Sequence, residues 1–266
     1  MIRILGILGS PSSYKISWIF LAVVCCSVTG PEDCATKNNY PTNIAPLSSA
    51  EIEDLQSQFN AFSNGQLCSH EFNSYGVIQQ ASICRTGGVM TQGTEALMIT
   101  RAKELVVRLS EFTHVSDTSL LAVQRNAGIG VSTERMLVVF KNQVYNGFEV
   151  MDTEISVQVY KDGARAIHGG WQERLIIPDC ESLTEADARV AAMGTEIIWW
   201  GWGGRDTVTV SEENISDGAV KVVVPIIEDK TKKLRLAWRF SVSFGWYLYI
   251  DMFNGKVLRT DQLFVT

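Results

Sequence analysis

The sequence predicts an α+β protein, because its helical and strand patterns come in groups instead of alternating one for one along the chain. Apolar residues recur at helical spacing before His114, whereas alternating and continuous apolar runs follow it. A further helical stretch near Thr184 then precedes a second group of strands. We therefore expect two tandem layers, over residues 94–180 and 181–266, each with a helix packed on a curved antiparallel sheet.

The amino terminus has the features of a secretory signal peptide over residues 1–27. Arg3 and Lys15 are its charged residues, and an apolar run follows from Ile16 to Cys26. This run is shorter than the roughly 20 residues that cross a bilayer as a helix. We expect an exported protein that is periplasmic, extracellular or lipid-anchored at the cell envelope.

The signal peptide is compatible with two kinds of processing. The stretch from Leu21 to Cys26 resembles a lipoprotein signal, in which Cys25 or Cys26 would carry the lipid. The small residues Cys25, Cys26 and Ser27 also suit an ordinary signal peptidase. If the chain contacts a membrane, we expect it to do so only through such a lipid anchor.

Four cysteines follow the signal peptide, namely Cys34, Cys68, Cys84 and Cys180. An even number of cysteines in an exported chain suggests two disulfides, for which three pairings are possible. We favour Cys68 with Cys84, which closes a short loop, and Cys34 with Cys180, which ties the amino-terminal segment to the body. A zinc site is the competing interpretation, and the lack of a C-x-x-C pair argues against it.

Two segments precede the first predicted layer. Residues 28–47 are rich in Pro, Asn and Thr without apolar periodicity, which predicts a flexible tether. Residues 48–93 are predicted to form an amino-terminal helix and a cysteine-bearing loop. Ser48 and Glu51 have the spacing of a capping box, and apolar residues recur at helical spacing from Ile52 to Phe62.

The first layer is predicted to begin with a helix from Thr94 to Phe112. Its apolar stripe consists of Met98, Ala102, Leu105, Leu109 and Phe112. Candidate strands follow at 120–124, 137–140 and 155–159. Asp162-Gly163 then separates two alternating segments, which is a strong signal for a β-hairpin.

The second layer is predicted to begin with an alanine-rich helix that Thr184 caps and that reaches Ile198. Three turn signals then divide the remaining apolar runs, at 228–233, Phe244-Gly245 and Asn254-Gly255. Such regular spacing of turns predicts an antiparallel meander at the carboxyl end.

Two stretches of this chain carry a family resemblance. Residues 138–150, VVFKNQVYNGFEV, and the hairpin that ends in AIHGG at 166–170 resemble the fungalysin/thermolysin propeptide motif. Residues 236–240, LAWRF, and 246–258, WYLYIDMFNGKVL, look like the end of a PepSY domain. The two modules occur in this order in the propeptides of thermolysin-like metallopeptidases, and the resemblance covers about residues 90–262.

This resemblance implies a cystatin-like or PepSY-like fold and a region that helps a peptidase to fold and occupies its active-site cleft. No peptidase domain follows Leu258 in this sequence. We therefore expect an exported, non-enzymatic protein-binding module, acting in trans as an inhibitor or folding chaperone of a zinc metallopeptidase. The alternative is an envelope-associated scaffold or interaction lipoprotein that is unrelated to proteolysis.

Motifs of enzyme active sites are absent from the sequence. There is no G-x-S-x-G elbow, phosphate-binding loop or dinucleotide fingerprint. His70-Glu71 begins like the zinc motif H-E-x-x-H, but Ser74 stands where the second histidine must be. We assign no catalytic residue, metal ligand or cofactor. The net charge of −6, without a basic block, disfavours nucleic acid as a partner.

An aromatic cluster is the one candidate binding site in the sequence. Trp199, Trp200 and Trp202 fall within four residues beside glycines, and Trp171 is a fourth candidate member. Exposed tryptophans are enriched at the energetic centres of protein interfaces. The competing interpretation is a helix end that enters a glycine turn and buries its indoles against the sheet.

Overall fold

The structure is a computed structural model that describes residues 40–62, 67–83, 94–128, 135–160, 165–173, 175–178, 182–201, 204–243 and 245–263. The predicted signal peptide, Cys25, Cys26, Cys34, Cys84, Cys180 and Trp202 lie outside these residues, as do the side chains of Cys68 and Trp200. Both predicted disulfides therefore fall outside the described part of the chain. Among the described residues, no helix is long and apolar enough to cross a membrane.

The described elements are four α-helices, one 3₁₀ turn and fifteen strands. The helices are α1 (Ser49–Phe62), α2 (Glu95–Arg108), α3 (Ser110–Thr113) and α4 (Glu185–Ala192), with the 3₁₀ turn at Thr118–Leu120. The first nine strands are β1 (Thr42–Ile44), β2 (Leu67–Phe72), β3 (Ile78–Ile83), β4 (Val123–Gly128), β5 (Arg135–Phe140), β6 (Val144–Tyr145), β7 (Phe148–Val150), β8 (Ile155–Tyr160) and β9 (Arg165–His168). The others are β10 (Glu196–Gly201), β11 (Gly204–Thr209), β12 (Ile215–Glu228), β13 (Thr231–Val242), β14 (Trp246–Asp251) and β15 (Val257–Gln262). The predicted α+β class is confirmed.

The first sheet is antiparallel and has the strand order β2-β3-β9-β8-β5-β4. Helix α2 covers one face. The predicted helix of 94–112 is divided at Leu109 into α2 and α3, and its apolar stripe is buried throughout. Residues of β8 alternate between buried and partly exposed, as a strand with one face in a core requires. The register from Ser156 opposite His168 to Val159 opposite Arg165 confirms the predicted hairpin, although its turn lies outside the described residues.

Part of the predicted cysteine-bearing loop forms strands β2 and β3 instead, which belong to the first sheet, and helix α1 packs on the same core. The predicted capping box is present, because the Ser48 amide donates to the Glu51 carboxylate at 2.7 Å and the Glu51 amide donates to the Ser48 hydroxyl at 3.3 Å. Phe59, near the end of α1, is buried against Phe72 and Phe112 with ring centroids 5.5 and 4.7 Å apart. The amino-terminal helix is thus part of the first core.

The second sheet has the order β15-β14-β13-β12-β7-β6, with β1 on β13. Strands β12 to β15 form the predicted antiparallel meander. Asp229 and Lys230 join β12 to β13, both with positive φ, as a tight hairpin turn requires. Helix α4 and the β10–β11 ribbon pack against one face of this sheet and form a second core.

The structure differs from the predicted pair of tandem layers, because the β6–β7 hairpin leaves the first unit and joins the second sheet. Val150 of β7 pairs in parallel with Val223 of β12, and its side chain is buried in the second core. Tyr145 and Phe148 pack against that core as well. Burial of these apolar side chains and pairing of the β12 edge favour this placement over one in which the hairpin stays in the first layer.

The structure also differs from the prediction of a flexible tether over residues 28–47. Residues 42–44 form β1 and pair with β13, and Tyr40 beside them is 8% exposed. The Tyr40 hydroxyl accepts a hydrogen bond from the Leu236 amide. A buried aromatic ring and a strand ladder hold this stretch to the second sheet, and composition alone did not indicate either contact.

The predicted helix of the second layer is shorter in the structure. Helix α4 begins at the predicted cap, where Thr184 and Asp187 form a capping box, but it ends at Ala192. Gly194 follows with φ of +78°, a conformation that ends helices. The run after it, Ile197 to Trp200, is β-branched and aromatic and forms strand β10. Trp199 and Trp200 therefore lie on a β-strand and not at a helix end.

Candidate functional site

Strand β10 of the β10–β11 ribbon contains Trp199 and Trp200, two members of the predicted binding cluster. Trp199 lies on the inner face of the ribbon, partly buried, with its ring centroid 5.6 Å from that of Trp246. Ile197 on the same face is 2% exposed. These two side chains anchor the ribbon to the second core. Only the backbone of Trp200 is described, as part of β10.

The structure does not bring Trp171 to this ribbon. Its indole is 8% exposed and packs in the first core, and its amide donates to the Thr113 carbonyl at 2.8 Å. Trp199 packs against the second core instead. A ring buried in a different core does not contribute to an exposed aromatic surface, so Trp171 is removed from the predicted cluster.

Each strand of the ribbon pairs only with the other among the described residues. The Val210 amide donates to the Thr195 carbonyl at 2.9 Å, so the backbone N–H of Val210 points toward the partner strand β10. The backbone N–H and C=O groups of successive residues point to opposite sides of a strand, so those of Thr207 and Thr209 point away from β10. Their partners across the ladder are Ile198 and Glu196. The N–H and C=O groups of these two residues therefore point toward the outer edge of β10.

The two edges of the ribbon differ. On β11, the Thr207 amide donates to the Asp206 carboxylate at 2.9 Å, and the Thr209 carbonyl accepts from the Asn214 side chain at 2.8 Å. Side chains thus satisfy part of the β11 edge. Ile198, at the middle of the β10 edge, is 44% exposed, which is unusual for a large apolar side chain at a strand edge.

A second feature is a groove of about 550 Å³ between the β2–β3 turn and the second sheet. It is lined by Asn73, Tyr75, Asp152, Pro225, Ile226, Ile227, Lys232, Leu258 and Arg259. Four separate segments of the chain contribute these residues, and no local motif contains them. Sequence analysis therefore gave no signal for this groove.

Charged groups at the groove are held by specific contacts. Arg259 binds both oxygens of Asp152 at 2.5 and 3.2 Å, and its Nε donates to Asp261 at 2.5 Å. These carboxylates raise the pKa of the guanidinium above its ordinary value. The Tyr75 hydroxyl donates to the Lys230 carbonyl at 3.0 Å, which joins the β2–β3 turn to the β12–β13 turn.

The histidines lie apart from both features. His114 ends α3 in the left-handed conformation, with its Nδ1 3.5 Å from a Glu173 carboxylate oxygen, and burial lowers the pKa of its ring. His168 contacts the Gln79 carbonyl, and His70 stacks near Phe59. Among the described residues, no group of three or more His, Cys, Asp or Glu side chains could hold a metal ion.

Comparisons with known proteins leave the family open. No family model matches the chain, and no curated protein matches it. A solved structure that does match is the Bacillus megaterium YpeB C-terminal domain, with 10% identity over 83% of this chain and 100% of that one. The TM-score is 0.32, at which the likeness supports no argument about fold detail or function. The propeptide resemblance of residues 138–170 and 236–258 remains a prediction.

Proposed function

We propose that this chain is an exported, non-enzymatic protein-binding module that takes up an extended segment of a partner protein along the outer edge of β10. The observation that carries the proposal is the edge at Glu196 and Ile198, to which no strand of the described residues pairs, on a ribbon whose inner face is anchored in the core. An edge strand of this kind offers its N–H and C=O groups as a template for an added strand.

The anchored ribbon favours such binding because it loses little conformational freedom when a partner strand is added. Ile197 and Trp199 hold the strand to the second core, so its edge is already in the bound conformation. Backbone hydrogen bonds would supply affinity, and exposed Ile198 would supply an apolar contact. The carboxylate of Glu196, which is also exposed, favours a basic side chain on the partner strand.

The partner that we propose is a zinc metallopeptidase, with this chain as its inhibitor or folding chaperone in trans. Support comes from the sequence resemblance at 138–150 and 236–258 to modules of metallopeptidase propeptides. The signal-like residues 1–27 support a meeting outside the cytoplasm. Contact along an edge strand is also a geometry in which an extended chain can lie across a peptidase cleft.

The lipoprotein-like stretch from Leu21 to Cys26 favours one second candidate, an envelope-associated scaffold anchored through Cys25 or Cys26. Mass spectrometry of the mature amino terminus separates the two. A lipid on either cysteine supports the scaffold, whereas cleavage after them without a lipid supports a freely secreted module.

The proposal is tested by removing one amide from the edge of β10. The mature chain, residues 28–266, is titrated against the exported zinc metallopeptidases of its source, with binding and inhibition as readouts. Ile198→Pro removes an outward N–H without breaking the ladder to β11, which is the placement that sheets tolerate for proline. We expect it to weaken binding by about tenfold or more, as loss of backbone hydrogen bonds would.

Thr207→Pro is the matched control, because it removes the outward amide of the opposite strand across from Ile198. It should bind as the unchanged chain does, and circular dichroism verifies that both variants keep their fold. If Ile198→Pro does not fold, Ile198→Lys places a charge at the same edge. Equal binding by the edge variant and by Thr207→Pro would contradict the proposal, as would no effect on any such peptidase.

A further inference from the structure

The groove between the β2–β3 turn and the second sheet combines an apolar wall with two cationic side chains, Lys232 and Arg259. Pro225, Ile226, Ile227 and Leu258 form the apolar wall, and Ile227 is 66% exposed. The volume of about 550 Å³ is within the range of small-molecule sites. None of its lining residues belongs to the β10 edge, so this site stands independently of the function proposed above.

Lys232 is the lining cation that no carboxylate of the described residues contacts. It is only partly exposed, and it forms no ion pair with any residue in the described ranges. Its Nζ lies 5.9 Å from the centre of the Tyr75 ring. Burial lowers the pKa of this ammonium, and Asp152 opposes that shift from a distance. An ammonium removed from water without a close partner is costly, and a bound anion would offset that cost.

The other charges at the groove are already paired. The guanidinium of Arg259 is held by Asp152 and Asp261 together. Of the charged residues that line the groove, Lys232 and Arg259 are positive and Asp152 is negative. With Asp261, which binds Arg259 from outside the lining, these four charges sum to zero. Among the described residues, Lys232 is the lining cation without a carboxylate in direct contact.

We infer that this groove binds a small organic monoanion, a carboxylate carried on an apolar body. The carboxylate would pair with the Lys232 ammonium, and the apolar body would lie along Pro225, Ile226 and Leu258. Two sources have this chemistry, a free carboxylic acid and the carboxyl terminus of a peptide with an apolar last residue. The charge of the lining and its apolar wall are the same for both.

Isothermal titration of the mature chain with octanoate and with octanol tests the inference. The two probes have the same apolar chain, and only octanoate has the charge. We expect saturable binding of octanoate. Octanol should bind at least about tenfold more weakly, because it lacks the charge-assisted contact. A peptide that ends in two leucines, compared with its carboxyl amide, serves as the second pair of probes and distinguishes the two sources.

Lys232→Met keeps the apolar stem and removes the charge, so it should reduce octanoate affinity by about tenfold and leave octanol binding unchanged. Lys256→Met is the matched control, because this exposed lysine lies in the connection between β14 and β15 and does not line the groove. It should retain affinity within about twofold, the scale of a screened surface charge. Lys232→Gln replaces the methionine variant if that variant does not fold.

Thermal unfolding provides an independent readout. Octanoate should raise the melting temperature of the unchanged chain and of Lys256→Met, and it should not raise that of Lys232→Met. Equal octanoate affinity in the unchanged chain and in Lys232→Met would overturn the inference. So would the lack of saturable binding of both octanoate and the free-carboxylate peptide up to about 10 mM, which corresponds to negligible affinity.

Discussion

The backbone at Gly169 passes so close to the start of β8 that no side chain fits there. Its φ is +94°, and a Cβ on this residue would lie 2.2 Å from the Glu154 carbonyl oxygen. Gly147 also has a positive φ, of +83°, but its position has no neighbouring atom within 4 Å. At Gly147 only the backbone conformation disfavours a side chain, whereas at Gly169 a close backbone atom does so as well.

Gly169→Ala should lower the free energy of unfolding by about 3 kcal/mol or more, because the clash with a backbone oxygen adds to the strained φ. Gly147→Ala carries the strain alone and should lower it by about 1 kcal/mol. Urea unfolding followed by circular dichroism measures both values. Equal losses in the two variants would show that close packing at Gly169 is not what requires glycine.

Residue by residue, sequence periodicity predicted the first core better than the groove. The stripe of Met98, Ala102, Leu105, Leu109 and Phe112 is buried as helical spacing indicates, because neighbours three and four apart share a face. The groove depends instead on the pairing of Asp152, in the turn after β7, with Arg259 of β15. No local pattern encodes such a contact, so the fold had to be known first.

At the scale of elements, Phe59 is the fully buried side chain by which helix α1 enters the first core. Phe59 is 1% exposed and packs edge-on against Phe72 and Phe112. Its neighbour Phe62 is only partly buried. A helix of this length is marginal by itself in water, so tertiary packing must stabilise it.

Phe59→Ala should therefore destabilise the chain by about 3–5 kcal/mol, the range for emptying an aromatic core site. Phe62→Ala is the control on the same helix and should cost clearly less, since part of that ring already contacts water. Denaturant unfolding gives both free energies. If the two substitutions cost the same, the contacts of Phe59 do not hold α1 in place.

The prediction of elements succeeded where one local signal was unopposed. The capped start of α1, the alternation in β8 and the turns of the meander each point to a single structure. It failed at the end of α4, where alanine-rich helical spacing runs into a β-branched and aromatic segment. There Gly194 and the packing of Ile197 and Trp199 decide the boundary, and propensity alone could not place it.

At the scale of the whole molecule, the β6–β7 hairpin links the two sheets. Val150 lies in the second core, while the amide of Gln172 donates to the Gln143 side chain at 2.9 Å beside the first core. The contact between Tyr75 and Lys230 joins the sheets a second time. We expect the two sheets to unfold as one cooperative unit.

Val150→Ala tests this cooperativity. It should lower stability by about 2 kcal/mol through lost packing in the second core. Amide hydrogen exchange should then speed up to the same degree in α2 of the first unit and in β14 of the second. Val144→Ala, on the same hairpin but 65% exposed, should leave exchange unchanged. Faster exchange confined to one sheet would show that the sheets unfold separately.

The α+β class could be predicted from the sequence, whereas the addition of β1 and of the β6–β7 hairpin to the second sheet could not. Grouped helices and strands predict α+β, because each pattern is a local property of the chain. Parallel pairing of β7 with β12 and the addition of β1 to β13 join distant segments. Such pairings are selected by the open edges that remain once the other strands have formed, and these edges exist only in the assembled sheet.

The pairing of β1 with β13 sets an order of events during synthesis on the ribosome. All strands of the first sheet lie before residue 169, so that sheet can close early. Strand β1 and the β7 edge of the β6–β7 hairpin must wait for their partners, because β12 and β13 are made last but for β14 and β15. The nascent chain therefore exposes these two strand edges until translation is nearly complete, and a chaperone would bind it during that interval.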